Sequence, residues 1–187
     1  MICAISGLPR VALIARPRGV KRKRAANTAT SAAADSTWYP FSFLTDIAKN
    51  EPGLSSALRR IGWLVDDASA HGVERNRILL LGFSQGACLA GEFASRHPGG
   101  YGGILIFSGG LIGPPGTAWD TPGSFEGTPV FLGCSDGDAH IPKDRVDESA
   151  LVFERRGADV TERIYPGMGH VVNDDEIAFA QTLMDRL

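Results

Sequence analysis

The chain has 187 residues, 43% hydrophobic and 21% charged, with a formal net charge of −2. That is enough for one domain with a real core. The charge gives no reason to expect nucleic acid as a partner, and no apolar run approaches the roughly 20 residues of a membrane-crossing helix, so stable membrane insertion is not expected.

The charge is unevenly placed. Seven basic residues and no acidic one precede Asp35, so the first 34 residues carry +7 and the remainder −9. Val11 to Ala15 is a short apolar run that reads as a buried strand. The cluster Lys21-Arg22-Lys23-Arg24 follows, then an Ala-, Thr- and Ser-rich stretch to Ser36 with little to bury; 16–36 reads as a poorly ordered loop. We therefore divide the chain into an atypical basic segment, 1–36, and a domain, 37–187. The basic run is a candidate for nucleic acid, an anionic surface or targeting, against the plainer reading of a solvated loop.

Pro52 suits a helix start, and Leu54, Leu58, Ile61, Leu64, Val65 and Ala68 repeat at helical spacing up to His71-Gly72. Beyond that, apolar strands are expected at 77–82, 103–108, 129–133 and 159–165, and helices at 84–97, 145–156 and 174–187, the last with Ile177, Phe179, Ala180 and Leu183 as its apolar face. Continuously apolar strands alternating with amphipathic helices predict a mostly parallel sheet covered on both faces, an α/β fold. Cys3, Cys88 and Cys134 are an odd set without metal-ligand spacing; they read as free thiols of a reducing, cytoplasmic compartment.

Gly82-Phe83-Ser84-Gln85-Gly86 has the form G-x-S-x-G. The pattern alone is loose, but here an apolar strand runs into it and a helix leaves it, as a nucleophile elbow requires. The helix N-terminus then points free N–H groups at a forming oxyanion. A serine nucleophile needs a base, and the base an orienting acid, which in this arrangement follow in the order Ser, Asp or Glu, His on loops after later strands. Asp136 and Asp138 both lie on the loop after the 129–133 strand, and spacing does not separate them. Of four histidines, His71 and His97 fall at helix ends and His140 follows the acid, where it could line the pocket. His170 alone stands after the last strand and is the candidate base.

The chain resembles the phospholipase/carboxylesterase family of α/β-hydrolases, which includes the acyl-protein thioesterases. The resemblance rests on Thr37-Trp38-Tyr39-Pro40 with Asn50-Glu51-Pro52 and Leu54-Ser55-Ser56-Ala57-Leu58, on Gly82-Phe83-Ser84-Gln85-Gly86-Ala87, on Asp136-Gly137-Asp138-Ala139-His140-Ile141-Pro142, and on Tyr165-Pro166-Gly167-Met168-Gly169-His170. It implies a Ser84, Asp138, His170 triad, with Ala139 where the family has Pro, and an oxyanion N–H from Gln85. It also implies a substrate pocket bordered by Trp38, Tyr39 and the Ser108-Gly109-Gly110-Leu111-Ile112 segment; packing in the core is the alternative for these.

One departure stands out. The family's H-G-x-G-type loop, which gives the second oxyanion N–H, has no counterpart before Ser84, and Ser6-Gly7 is at most a remnant. The start of the domain therefore reads as shortened or rearranged. One missing oxyanion donor costs roughly 10²–10³ in rate, and a missing strand leaves a sheet edge that favours a homodimer. The resulting expectation is a serine carboxylesterase acting on small or short-acyl esters with no metal or cofactor. The alternatives are a thioesterase or lysophospholipase with the same triad, and an inactive hydrolase-like binding protein.

Overall fold

The structure, a computed structural model, describes residues 2–4, 11–15 and 37–187. The basic run 16–24 and the Ser6-Gly7 remnant lie outside the described residues. Six strands form one sheet in the order of the chain: β1 (Ile2–Ala4), β2 (Val11–Ala15), β3 (Ile78–Phe83), β4 (Gly103–Phe107), β5 (Pro129–Ser135) and β6 (Asp159–Tyr165). β1–β2 and β2–β3 pair antiparallel, and β3 to β6 are parallel. β1 has no counterpart in the sequence reading, where only Val11 to Ala15 stands out as apolar.

Among the described residues four α-helices accompany the sheet: α1 (Gly53–Ala70), α2 (Gln85–Arg96), α3 (Lys143–Arg155) and α4 (Asp174–Arg186). Alternation along the central strands decides which face each helix covers. Ile78, Leu80, Ile104, Ile106, Val130 and Leu132 pack in one cluster with Leu58 and Ile61 of α1, Leu89 and Phe93 of α2, and Val146 and Phe153 of α3. Leu79, Leu105, Phe107 and Phe131 face the other way, onto Ala180 and Leu183 of α4. β3 and β4 are buried on both faces, which explains their unbroken hydrophobic runs. β6 lies at the sheet edge and is only half-covered.

Helix ends follow local chemistry. α1 stops at His71, where Gly72 takes φ +79° and Val73 N–H returns to the Ala68 carbonyl. α4 begins with a capping box: Asn173 Oδ1 accepts from Glu176 N–H at 2.9 Å, and Glu176 Oε2 from Asn173 N–H at 2.9 Å. On α4 the apolar face is narrower than expected, because Ile177 points to solvent with 55% of its surface exposed.

The turn from β3 into α2 is a tight join. A Cβ at Gly82 would strike the Gly86 carbonyl and lie 2.5 Å from the Ala87 nitrogen. Only glycine lets strand and helix approach this closely. Gly82→Ala is therefore expected to cost about 1–3 kcal/mol, the usual scale of overpacking. Urea unfolding followed by circular dichroism reads this as a lower midpoint with an unchanged slope.

Candidate active site

Ser84 occupies the turn between β3 and α2 with φ +56° and ψ −125°. Positive φ is uncommon for a residue with a Cβ and costs of order 1–3 kcal/mol. The strain is offset by the frame around it: Ser84 N–H donates to the Phe107 carbonyl at 2.9 Å, and its own carbonyl accepts from Ala87 and Cys88 N–H. Helix α2 starts one residue after Ser84, so Gln85 N–H is among the four donors that an α-helix leaves without an intrahelical partner.

The loops after β5 and β6 meet Ser84. His170 Nε2 lies 2.8 Å from Ser84 Oγ, and His170 Nδ1 lies 2.7 Å from Asp138 Oδ2. An ionised carboxylate only accepts hydrogen bonds, so Nδ1 carries the proton and Nε2 is free to accept from the Ser84 hydroxyl. The Asp138 side chain has 0% exposed surface. Burial works against its charge, but the hydrogen bonds from His170 Nδ1 and from the N–H groups of His140 and Ile141 outweigh it and hold the carboxyl below its ordinary range. The His170 ring also packs against Phe83, with ring centres 4.8 Å apart, and against His140, again at 4.8 Å.

Asp136 and Asp138 separate cleanly in space. Asp136 Oδ1 accepts from Gly167 N–H at 2.8 Å, and the buried Ser135 Oγ accepts from Gly169 N–H at 3.0 Å. These two contacts tie the acid-bearing loop to the histidine-bearing loop. The buried Cys134 thiol stands 3.8 Å from Asp138 Oδ2 and is pushed up to about 12, first by burial and then by that carboxylate.

Ser84 and His170 open onto a cavity of about 330 Å³ lined also by Tyr39, Phe41, Phe43, Gln85, His140 and Ile141. A larger hollow of about 580 Å³, around Trp119, Leu151 and Arg155, has none of these groups. Of the four residues expected at the substrate pocket, Tyr39 lines the cavity, though only 2% of its surface is exposed. Leu111 and Ile112 do not line it. Both are fully buried in the core, where Leu111 N–H donates to Ser149 Oγ at 2.9 Å and Ile112 N–H to Glu92 Oε2 at 3.0 Å. Trp38 also stays off the lining and packs against the core edge.

Two polar side chains with no role in the sequence reading shape this cavity, and a third fixes the buried loop after β4. The Gln85 amide clamps the Trp38–Tyr39 segment: Oε1 accepts from Trp38 N–H at 2.8 Å and Nε2 donates to the Tyr39 carbonyl at 2.9 Å. Asn50, fully buried, accepts from Phe41 N–H at 2.9 Å and donates to the Ser42 carbonyl at 3.1 Å, fixing the segment that carries Phe41 and Phe43. Arg145, 4% exposed, donates to the Leu111 and Gly113 carbonyls at 2.8 and 2.7 Å. Asn50 stands between Lys49 and Glu51 and Arg145 follows Lys143-Asp144, so no local signal in the sequence marks either as buried.

A mostly parallel sheet with a strained serine at a strand-to-helix turn, followed by Asp and His on later loops, defines an α/β-hydrolase. The phospholipase/carboxylesterase family model matches residues 8–187, so the chain belongs to that family of carboxylesterase-type serine hydrolases. It is similar to an acyl-protein thioesterase 1 of Eremothecium gossypii, 29% identical over 84% of this chain and 70% of that protein. A probable carboxylesterase of Oryza sativa subsp. japonica is 30% identical over 75% of this chain and 60% of its own length. Among solved structures, a phospholipase/carboxylesterase from Dyadobacter fermentans superposes with a TM-score of 0.76 at 40% identity, over 79% of this chain and 71% of that one.

The Asp138 environment makes a pH prediction. Its carboxyl is held low in the folded state, so its stabilisation is present above the unfolded value near 4 and is lost as pH falls through the folded value. The difference in unfolding free energy between wild type and Asp138→Asn, measured in urea, is expected to be present at pH 6 and to shrink below about pH 4.

Proposed function

We propose that the protein hydrolyses small or short-acyl carboxylic esters through an acyl-enzyme on Ser84. The observation that carries this reading is the unbroken chain of hydrogen bonds from Ser84 Oγ through His170 to Asp138 at the mouth of a cavity. Ser84 attacks the ester carbonyl and His170 Nε2 takes its proton. Asp138 holds the Nδ1–H tautomer and stabilises the imidazolium. The Gln85 N–H and the N-terminus of α2 face the developing oxyanion. His170 then protonates the departing alcohol, and water, deprotonated by the same imidazole, releases the acid.

The size preference rests on the cavity: about 330 Å³ is at the small end of ligand sites, which run from roughly 300 to 1,000 Å³. A thioester presents the same carbonyl to the same groups, and the Eremothecium gossypii relative bears the name of a thioesterase, so thioesters of small acids are second substrates under this reading.

We assign the hydrolase domain to 37–187, which supplies all the groups named above, and 1–36 to a basic segment whose described strands extend the sheet. Cys88 and Cys134, both free and buried, fit a cytoplasmic setting. A homodimer through an open sheet edge belongs to the same reading, and in the described sheet the edge strands are β1 and β6. Among the described residues no helix is long and apolar enough to cross a membrane.

Hydrolysis of p-nitrophenyl acetate and butyrate tests the central reading. The wild type is expected to turn over both. Ser84→Ala and His170→Ala are expected to lose at least 10³-fold in kcat, and Asp138→Asn roughly 10³–10⁴-fold. A well-folded wild type without turnover would make this a hydrolase-like binding protein instead.

A further inference from the structure

If Ser84 is the nucleophile, the path of the proton decides which side of the cavity receives the alcohol part of the ester. The departing oxygen takes its proton from His170 Nε2, so it must lie within hydrogen-bond reach of that atom. The alcohol portion therefore extends over the His170 side. The His140 ring stands there, edge-on to His170 with 4.8 Å between ring centres, and it lines the same cavity.

We propose that His140 is a specificity-determining residue that hydrogen-bonds a hydroxyl on the alcohol part of the substrate, so that the enzyme favours esters of neutral, hydroxyl-bearing alcohols over plain alkyl esters. This rests on the ester-hydrolase reading of Ser84 and goes beyond it in naming the substrate class.

Three observations converge on His140. Its backbone is fixed by the acid of the triad itself: His140 N–H donates to Asp138 Oδ1 at 2.8 Å, and Ile141 N–H donates to the same oxygen at 3.1 Å. Its exposed ring thus projects from a rigid base, which is what a selective contact needs. Its hydrogen-bonding capacity is unspent, because neither ring nitrogen bonds another described residue, and a neutral imidazole offers one donor and one acceptor, a match for a hydroxyl.

Apart from the Ser42 hydroxyl, whose O–H can still donate, the other polar groups of the lining are committed or covered. The Gln85 amide is used at both ends. Ser42 Oγ accepts from Leu44 N–H at 3.2 Å. Tyr39 and Cys88 are 2% and 1% exposed. Among the described residues the lining holds no Lys, Arg, Asp or Glu that would pair with a charged headgroup, and its remaining described walls are Phe41, Phe43 and Ile141. A neutral polyol ester fits this combination of apolar walls, an open imidazole and the Ser42 hydroxyl.

The test compares two esters with the same acyl group, glycerol monobutyrate and ethyl butyrate, as the ratio of their kcat/KM values. Removing one hydrogen bond is expected to lower that ratio roughly 3- to 10-fold. His140→Phe, which keeps a ring against His170 but has no N–H, is expected to show this fall. His140→Gln, which can still bond a hydroxyl, is expected to keep most of the wild-type ratio. An unchanged ratio in His140→Phe overturns the proposal, as does a parallel loss on both esters, which would mean that the ring only holds His170 in place. A wild-type protein that turns over neither ester overturns the ester-hydrolase reading and this inference with it.

Discussion

The site depends on how closely the end of β3 approaches the start of α2. Gly82 has no Cβ, so the strand can run against the backbone of Gly86 and Ala87. That contact bends the chain sharply at Ser84, whose φ of +56° would not persist without the surrounding frame. The hydrogen bond from Ser84 N–H to the Phe107 carbonyl fastens the bend to β4, and Leu79, Leu80 and Leu81 pair in parallel register with Gly103, Ile104 and Leu105. Much of the buried core thus keeps one hydroxyl at the end of the sheet with a helix N-terminus beside it.

The same logic extends to the other two loops. The parallel pairing of β5 with β6 runs up to Ser135 and Tyr165, so the loops that follow leave the sheet side by side. Ser135 and Asp136 then join them through the N–H groups of Gly169 and Gly167, both of which hold positive φ. Polar side chains that touch neither serine nor imidazole in this way determine where Asp138 and His170 meet. Gln85 does the same on the opposite side: its side chain holds the Trp38–Tyr39 segment while its backbone N–H is the proposed oxyanion donor. One residue therefore links the cavity wall to the point where charge develops.

Much of this could be read from the chain. Buried parallel strands advertise themselves as short unbroken apolar runs, and Ile78–Phe83 and Gly103–Phe107 are such runs. Ser84 and His170 could be nominated because each follows a strand and the order along the chain matches the topology, whereas only the resemblance to the family singles out Asp138 from Asp136. Three-residue β1 is too short for a period to appear. Leu111 and Ile112 show the opposite difficulty. An apolar pair after a strand fits a pocket wall and a core equally, and here Arg145, Ser149 and Glu92 draw the backbone of that loop inward. Asn50, Glu92 and Arg145 were illegible for a related reason: a buried polar side chain is recognised by its partners, which lie far away in sequence. The choice between Asp136 and Asp138 likewise turns on which carboxylate faces the imidazole, a matter of loop geometry that spacing does not encode.

The claim on which the rest depends is that Ser84 is an activated nucleophile. The most direct measurement is covalent: reaction of the folded protein with a fluorophosphonate, followed by intact-mass and peptide-mapping mass spectrometry. The account predicts a single adduct on the peptide that contains Ser84, none in Ser84→Ala, and labelling at least 10²-fold slower in His170→Ala, because the hydroxyl then has no base. A folded wild-type protein that takes up no adduct, or takes it on a residue other than Ser84, would contradict it.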